Sequence, residues 1–329
     1  MKYLKLITPM VFCFMLCSCS EEAHYKQIFA MDTVMDLAVY SDGGEELLNE
    51  ASDIIFSLDS MLDRSDPNSE VSRLNASGSG TVSEDVRALI DYSAEVYYQT
   101  DGSFDITVAP LMELWGFYTK EYRVPSDSEI QSALETTGFE KISADGSEVD
   151  LNGTELDFGG IAKGYAADKA AAFLRGHGTE SAMLSLGGNI YALGSRPDGD
   201  PWRVAIADPS DPARSAGTVK VSDKAVITSG TYQRNFTSGG SFYHHIIDPK
   251  TGKNPENELA SVTVIGDNSA VCDALSTAFF VMGTDRAAEY LREHTEINAI
   301  FIDKSGNITI TAGLEDIFES ENSFDIIAE

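Results

Sequence analysis

Apolar positions along the chain change period part-way through. Leu47, Leu48, Ala51, Ile54, Ile55, Leu58, Met61 and Leu62 recur at helical spacing and predict an amphipathic helix of four or more turns. Asp66-Pro67-Asn68 ends it. A second helix is predicted from about Ser83 to about Thr100, burying Val86, Leu89, Ile90, Ala94 and Tyr97, and a third from Ser126, which has capping-box spacing to Glu129. Thr33 to Tyr40 reads as a strand. From Phe139 onward the pattern shifts to short β-like runs separated by turns at Asp145-Gly146 and Asn152-Gly153. One helix, Ile161 to Arg175, interrupts them and stops at Gly176. Strands are predicted at Ser181 to Leu186, Arg203 to Ala207, Ala225 to Ser229, His244 to Ile247 and Ser261 to Ile265. Helices at about 269 to 282 and 284 to 294 precede a closing hairpin, Ala299 to Asp303 and Asn307 to Thr311. With no repeat, low-complexity tract or long linker, the pattern describes one compact α+β domain with a mixed β-sheet core and flanking helices.

The N-terminus follows a different logic. Lys2 and Lys5 precede an apolar run from Leu6 to Leu16 that is too short to span a bilayer. The run ends in Leu16-Cys17-Ser18-Cys19, which resembles a bacterial lipobox. This predicts a signal peptide over residues 1–18, a lipid anchor on Cys19, a tether over 19–27 and the folded domain over 28–329. The expected address is outside the cytoplasm on a membrane, the inner or cytoplasmic membrane ahead of an outer one, although Ser20 after the cysteine is compatible with transport to an outer membrane. Cys13 and Cys17 would leave with the signal peptide, so Cys272 stands alone in the mature chain and no intramolecular disulfide is expected.

Charge narrows the partners. With 53 acidic against 23 basic residues the net charge is −30, which disfavours nucleic acid and anionic membrane surfaces. An anionic substrate would need local compensation by a metal or by aimed backbone N–H groups.

Three constellations can carry chemistry. In Asp157-Phe158-Gly159-Gly160-Ile161-Ala162-Lys163-Gly164-Tyr165 a strand is expected to end, two glycines permit close backbone approach, and a helix begins. Helix N–H groups and Lys163 suit a phosphate there, and Asp157 suits a sugar hydroxyl or base N–H. An ordinary tight turn has the same composition. Asp273, Ser276 and Thr277 occupy positions i, i+3 and i+4 of one helix face, a hard-oxygen set suited to magnesium or, equally, a polar helix start. His244-His245-Ile246-Ile247-Asp248-Pro249-Lys250-Thr251-Gly252 places two of the chain's five histidines before a turn, and strand alternation sends them to opposite faces. Gly187-Gly188-Asn189 and Ser229-Gly230-Thr231-Tyr232 mark further tight bends, and the aromatics of Leu114-Trp115-Gly116-Phe117 serve either a flat ligand ring or the core.

All these segments, in this order, resemble one family, the ApbE-type FAD:protein FMN transferases. The resemblance begins at Met31-Asp32-Thr33 and continues through Ser69 to Asn75, Phe104 to Phe117 and Asp157 to Tyr165. It resumes at Ser185 to Asn189, Thr228-Ser229-Gly230, His245 to Gly252 and Asp273 to Thr277. It implies an enzyme that binds FAD and Mg2+, breaks the pyrophosphate, and transfers FMN to a threonine or serine hydroxyl of an exported or membrane redox protein while AMP leaves. Carried over by position, Met31, Ser103, Phe104, Asp105, Asp157, Lys163 and the backbone around Ile247 would contact FAD. The carbonyl of Gly160 with Asp273, Ser276 and Thr277 would hold the metal. His245, ahead of Asp248, is the candidate base. Where the family often has an aromatic residue before the Ser69 segment, this chain has Arg64-Ser65-Asp66. An FAD pyrophosphatase releasing FMN and AMP, and a non-enzymatic flavin-binding lipoprotein, are the alternative readings.

Overall fold

The computed structural model describes residues 22–327; the expected signal peptide and Cys19 lie outside the described residues. Its centre is a nine-stranded sheet whose spatial order follows the chain. The strands are β1 (Ala23–Ala30), β2 (Thr33–Tyr40), β3 (Ser181–Leu186), β4 (Asn189–Gly194) and β5 (Lys224–Gly230), then β6 (Leu259–Gly266), β7 (Asn298–Asp303), β8 (Ile308–Ile310) and β9 (Phe324–Ile326). Neighbours pair antiparallel except β8 and β9, which pair in parallel and make the sheet mixed. Between β2 and β3 the chain builds α1 (Gly44–Leu62), α2 (Glu70–Ser77), α3 (Glu84–Gln99), α4 (Ala109–Leu114), α5 (Asp127–Leu134) and α6 (Ala162–Gly176). α7 (Ser269–Glu293) follows β6 and is broken at Gly283, where φ is 76° and ψ 169°. This is the mixed α+β single domain that the apolar periods predict.

The two faces of the sheet bury different layers. α1, α6 and α7 cover one face, where Leu48, Ile55, Leu174 and Phe279 pack on Met35, Leu37 and Val264. On the other face, strands Trp202–Asp208, Asp211–Val221 and Phe318–Glu319 close over Ile300 and Ile302. A separate cluster of Leu111, Trp115, Phe117, Ile130 and Ile247 joins α4 and α5 to the loop after residue 245.

Local signals are realised as hydrogen bonds. Ser83 Oγ accepts from Val86 N to cap α3, and both bonds of the capping box at Ser126 and Glu129 are present. α2 is not predicted by the apolar pattern, because its short polar run buries only Val71 and Leu74.

Three expectations are corrected. The tether expected over 19–27 overlaps β1, which starts at Ala23 and pairs with β2 along all its 8 residues. An edge strand with one covered face tolerates the polar residues that suggested a leash. No strand precedes the glycine pair: residues 151–157 run irregularly, held by Asp157 N donating to Ile106 O at 2.7 Å and by the Asn75 amide on both sides of the Leu156 peptide at 2.8 and 3.0 Å. The strand expected over His244–Ile247 is instead Ser241–His244. Beyond it the Asn254 side chain substitutes for a partner strand, donating to His244 O at 2.6 Å and Ile246 O at 2.8 Å.

The contact of α6 with α7 is unusually close. Five alanines of α6, Ala162, Ala166, Ala167, Ala170 and Ala171, are buried. A Cβ at Gly164 would lie 2.2 Å from Ser269 O and 2.8 Å from Ala270 Cα. Gly164→Ala must therefore push the two helices apart. Its expected cost is about 3 kcal/mol, the upper part of the range for overpacked cores, read as a lower urea midpoint with an unchanged denaturant slope.

Candidate active site

The α6–α7 crossing brings together residues 109 positions apart. Gly164 N donates to Asp273 Oδ2 at 2.9 Å. That amide is the donor that would otherwise serve the carbonyl of Gly160, and among the described residues no other backbone donor reaches it. Asp273 is 4% exposed, and its Oδ1 has no hydrogen-bond partner among the described residues. Thr277, one turn further along α7, brings its Oγ1 to 3.8 Å from where a Gly160 Cβ would stand. A carbonyl without its donor, an unpaired carboxylate oxygen and a hydroxyl thus converge.

Among the described residues no group of three His, Cys, Asp or Glu can hold a metal ion. This donor set has a different composition, with one carboxylate and neutral oxygens, and it fits a hard cation that completes its shell with water and substrate phosphate. Ser276 is placed otherwise than the resemblance implies. It is fully buried, its Oγ donates to Asp273 O at 2.8 Å, and it lies 2.7 Å from Ser229 Oγ on β5.

Around this centre stand the groups expected to meet the nucleotide. Phe104 packs its ring against Gly160, with Cε2 2.9 Å from a would-be Cβ, so a side chain there would displace the ring. Lys163 Nζ lies 3.4 Å from Gly159 O, and its charge bears on His245. Asp157 Oδ1 accepts from Gly159 N at 2.7 Å, and Oδ2 accepts from the Tyr118 hydroxyl. The Arg64 guanidinium lies 4.6 Å from the Tyr118 ring centroid and 2.9 Å from Glu155. An aromatic ring thus reaches this corner from the 115–123 segment, although the loop before Ser69 has none.

Met31 occupies the two-residue turn between β1 and β2. Its φ of 49° and the 59° of Asp32 are left-handed values that non-glycine residues adopt at a cost. Asp59 Oδ1 accepting from Met31 N at 3.0 Å helps hold that turn. Asp32 also lies 3.6 Å from Arg234, whose carbonyl accepts from His245 N at 3.0 Å, so the turn is tied to the histidine segment.

The remaining expected residues divide. Ser103 is buried, with its N–H on Thr100 O at 3.1 Å. Both oxygens of Asp105 are occupied: Oδ1 accepts from Thr107 N and Oγ1 at 2.7 Å each, and Oδ2 from Phe139 N at 3.1 Å. Its carboxylate shapes the loop and leaves only main chain for a ligand. Asp248 is similarly engaged, with Oδ1 accepting from Lys250 N at 2.9 Å and Oδ2 from Thr251 Oγ1 at 3.1 Å. The Ile247 side chain is buried beside Leu111 and Trp115, which agrees with a backbone role. Trp115 and Phe117 are core residues, and Phe236 stacks on Tyr122 at 5.1 Å, so these rings are already paired with protein.

The two histidines meet different neighbours. His244 packs edge-on to Phe280 at 5.4 Å, and burial lowers its pKa to about 4, with Lys304 adding to the effect. His245 lies near Phe117, and burial, then the charges of Arg234, His244 and Lys163, lower it to about 3. Its Nδ1 is buried without a partner, which leaves Nε2 as the nitrogen able to meet a hydroxyl. Burial also pushes the Cys272 thiol up, so the lone cysteine is a core residue.

Two structural contributors escaped the sequence reading. Asp168 on α6 accepts from Ser269 N at 2.9 Å and Ala270 N at 2.8 Å, capping α7 from another helix, and burial raises its pKa to about 6. In the sequence Ser229 stands out only as part of a glycine turn and of the Thr228-Ser229-Gly230 segment, with no role of its own. Its signal is strand alternation: it shares the helix-covered face of β5 with Ala225 and Ile227, where a polar residue calls for a partner. A depression of about 420 Å³ lined by Pro110, Glu113, Arg123 and Glu155, among others, includes none of the metal or base candidates.

Comparison with known proteins places the whole chain in a family. The pattern of the ApbE family matches residues 31–301. An FAD:protein FMN transferase of Klebsiella pneumoniae is 34% identical over 237 residues, covering 70% of this chain and 73% of that protein. One from Treponema pallidum is 31% identical over 329 residues, covering 91% of each. The apo crystal structure of the Pseudomonas stutzeri flavinyl transferase ApbE superposes with a TM-score of 0.83 at 31% identity, covering 92% of this chain and 99% of that one. The ApbE protein of Thermotoga maritima gives 0.82 at 31% identity, covering 87% and 96%. By sequence, by fold and by the ordered segments that build its site, the chain belongs to the ApbE family.

Proposed function

We propose that this chain is an FAD:protein FMN transferase that, with Mg2+, cleaves the pyrophosphate of FAD, attaches FMN to a threonine or serine hydroxyl of a partner protein, and releases AMP. The observation that carries this reading is the convergence of the donor-less Gly160 carbonyl, Asp273 Oδ1 and Thr277 beside Lys163 and His245. When bound, the cation supplies charge neutralisation at the pyrophosphate oxygens. Lys163, at the start of α6, adds a second positive charge. Asp157 and Phe104 orient the nucleotide against the glycine pair.

His245 is the base in this scheme, because the carboxylate of Asp248 is engaged with its own loop. It is neutral at ordinary pH and can take the acceptor's proton at Nε2. Lys163 contributes to its low basicity. An anionic pyrophosphate beside Lys163 offsets that field, so the histidine gains basicity when substrate is present. The same Nε2 serves a water molecule, which keeps FAD hydrolysis as the second reading, and a defined acceptor protein separates the two.

The lipid anchor on Cys19 belongs to the proposal as well. Cys19 is four positions before the first residue of β1. An anchored domain would therefore sit close to the membrane, facing membrane or exported redox proteins as acceptors.

Three outcomes are expected. Asp273→Ala abolishes Mg2+-dependent transfer of FMN, followed by mass spectrometry of the acceptor, while circular dichroism stays native; full transfer by this variant would refute the metal role. His245→Ala slows the single-turnover chemical step, and an unchanged rate would move the base elsewhere. Stability has its own pH signature. Both histidines have folded pKa values below the ordinary 6.5. The unfolded chain therefore binds more protons below that pH, and stability is lost as pH falls from about 6.5 toward 4, by up to about 1.4 kcal/mol per unit for each histidine. His245→Gln flattens this slope in urea titrations at pH 7, 5.5 and 4.5.

A further inference from the structure

Ser229 Oγ lies 2.7 Å from Ser276 Oγ and 3.2 Å from Thr277 Oγ1, and Ser276 Oγ is 2.8 Å from the carbonyl of Asp273. Each hydroxyl has one proton to give. A carbonyl only accepts, so the Ser276 proton is committed to Asp273 O. The contact between Ser229 and Ser276 then requires the Ser229 proton. Ser229 has none left for Thr277, so Thr277 must donate to Ser229. The order of donation is Thr277 to Ser229, Ser229 to Ser276, and Ser276 to the backbone of α7.

This order has a consequence for the cation site. The Thr277 hydroxyl proton is drawn toward β5, and its lone pairs remain free on the oxygen that faces the Gly160 corner. Without the acceptor on β5 that hydroxyl is free to rotate, with the carbonyl of Asp273 four residues earlier as an alternative acceptor, and its lone pairs are no longer held toward the Gly160 corner. Ser276 is interior to the relay and fully buried. We infer that Ser229 is a positioning residue that fixes the Thr277 hydroxyl as a lone-pair donor to the metal, and that Ser276 acts through the same relay and is not itself a ligand. The inference rests on the metal reading of this site.

The test uses Mn2+ alone, titrated into the flavin-free protein and followed by the electron paramagnetic resonance signal of free Mn2+. Ser229→Ala is expected to weaken binding about tenfold, the size typical of losing a group that orients a ligand. Ser276→Ala frees the Ser229 proton to donate to Thr277 and reverses that hydroxyl, so it weakens binding comparably. The double variant Ser229→Ala/Ser276→Ala binds no worse than Ser229→Ala, because one relay is lost either way. Multiplying losses in the double variant would make Ser276 a ligand in its own right and overturn the relay. Unchanged Mn2+ affinity in Ser229→Ala, with Asp273→Ala impaired, would overturn the role of Ser229 and leave the metal reading standing. Equal binding by wild type and Asp273→Ala would remove the metal reading itself. Far-ultraviolet circular dichroism and metal-free melting accompany each variant, and a relay that acts only on packing would lower the melting temperature without changing affinity, which also overturns the inference.

Discussion

The hydrogen bond from Gly164 N to Asp273 Oδ2 is the contact on which the rest of the site depends. It exists because α6 and α7 approach closely, and they do so because α6 presents glycine and alanine where larger side chains would hold the helices apart. One amide then does two things. It fixes one oxygen of a buried carboxylate, and it leaves the Gly160 carbonyl without its usual donor. Asp168 strengthens the same crossing by capping the start of α7 from the side of α6. Two polar groups that would be expensive to bury unpaired are thereby left open at the place where the proposed cation would meet them.

Charge gives that arrangement its purpose. A chain with a net charge of −30 repels a pyrophosphate at long range, so attraction must be local. Lys163 and the start of α6 supply part of it, and Arg234 lies behind the histidine. Burial keeps His245 neutral and these positive groups add to the effect, which ties substrate binding to the basicity of the proposed proton acceptor. Asp105, Asp157 and Asp248 show how the acidic residues of such a site are kept in order: each accepts hydrogen bonds from its own or a neighbouring loop.

The sheet brings the segments together through simple chain geometry. Strand order follows sequence order, so long connections between neighbouring strands must carry the chemistry. Residues 41–180, between β2 and β3, supply Phe104, Asp157, Gly160 and Lys163, while residues 231–258, between β5 and β6, supply His245. The aromatic residues between these segments largely stack on one another, and they serve as the wall that holds the 245–252 loop against α4 and α5.

The sequence by itself determined what is local. Apolar periodicity defined α1, α3 and the strands of the sheet interior except β4 (Asn189–Gly194), which was legible only as the bend before it; side-chain caps marked Ser83 and Ser126, and Gly283 divided the last long helix where a left-handed φ was required. The ordered motifs carried the family and most of the residues now found around Gly160. Tertiary structure decided which polar atoms remain unpaired, because pairing depends on neighbours far along the chain. Asp248 and Ser276 have the same composition as a base and a ligand, yet a loop engages one and β5 engages the other. Polar residues 23–27 became an edge strand once β2 offered a ladder. Periodicity records which side of an element faces the core, whereas hydrogen-bond ownership between α6, α7 and β5 exists only after those elements meet.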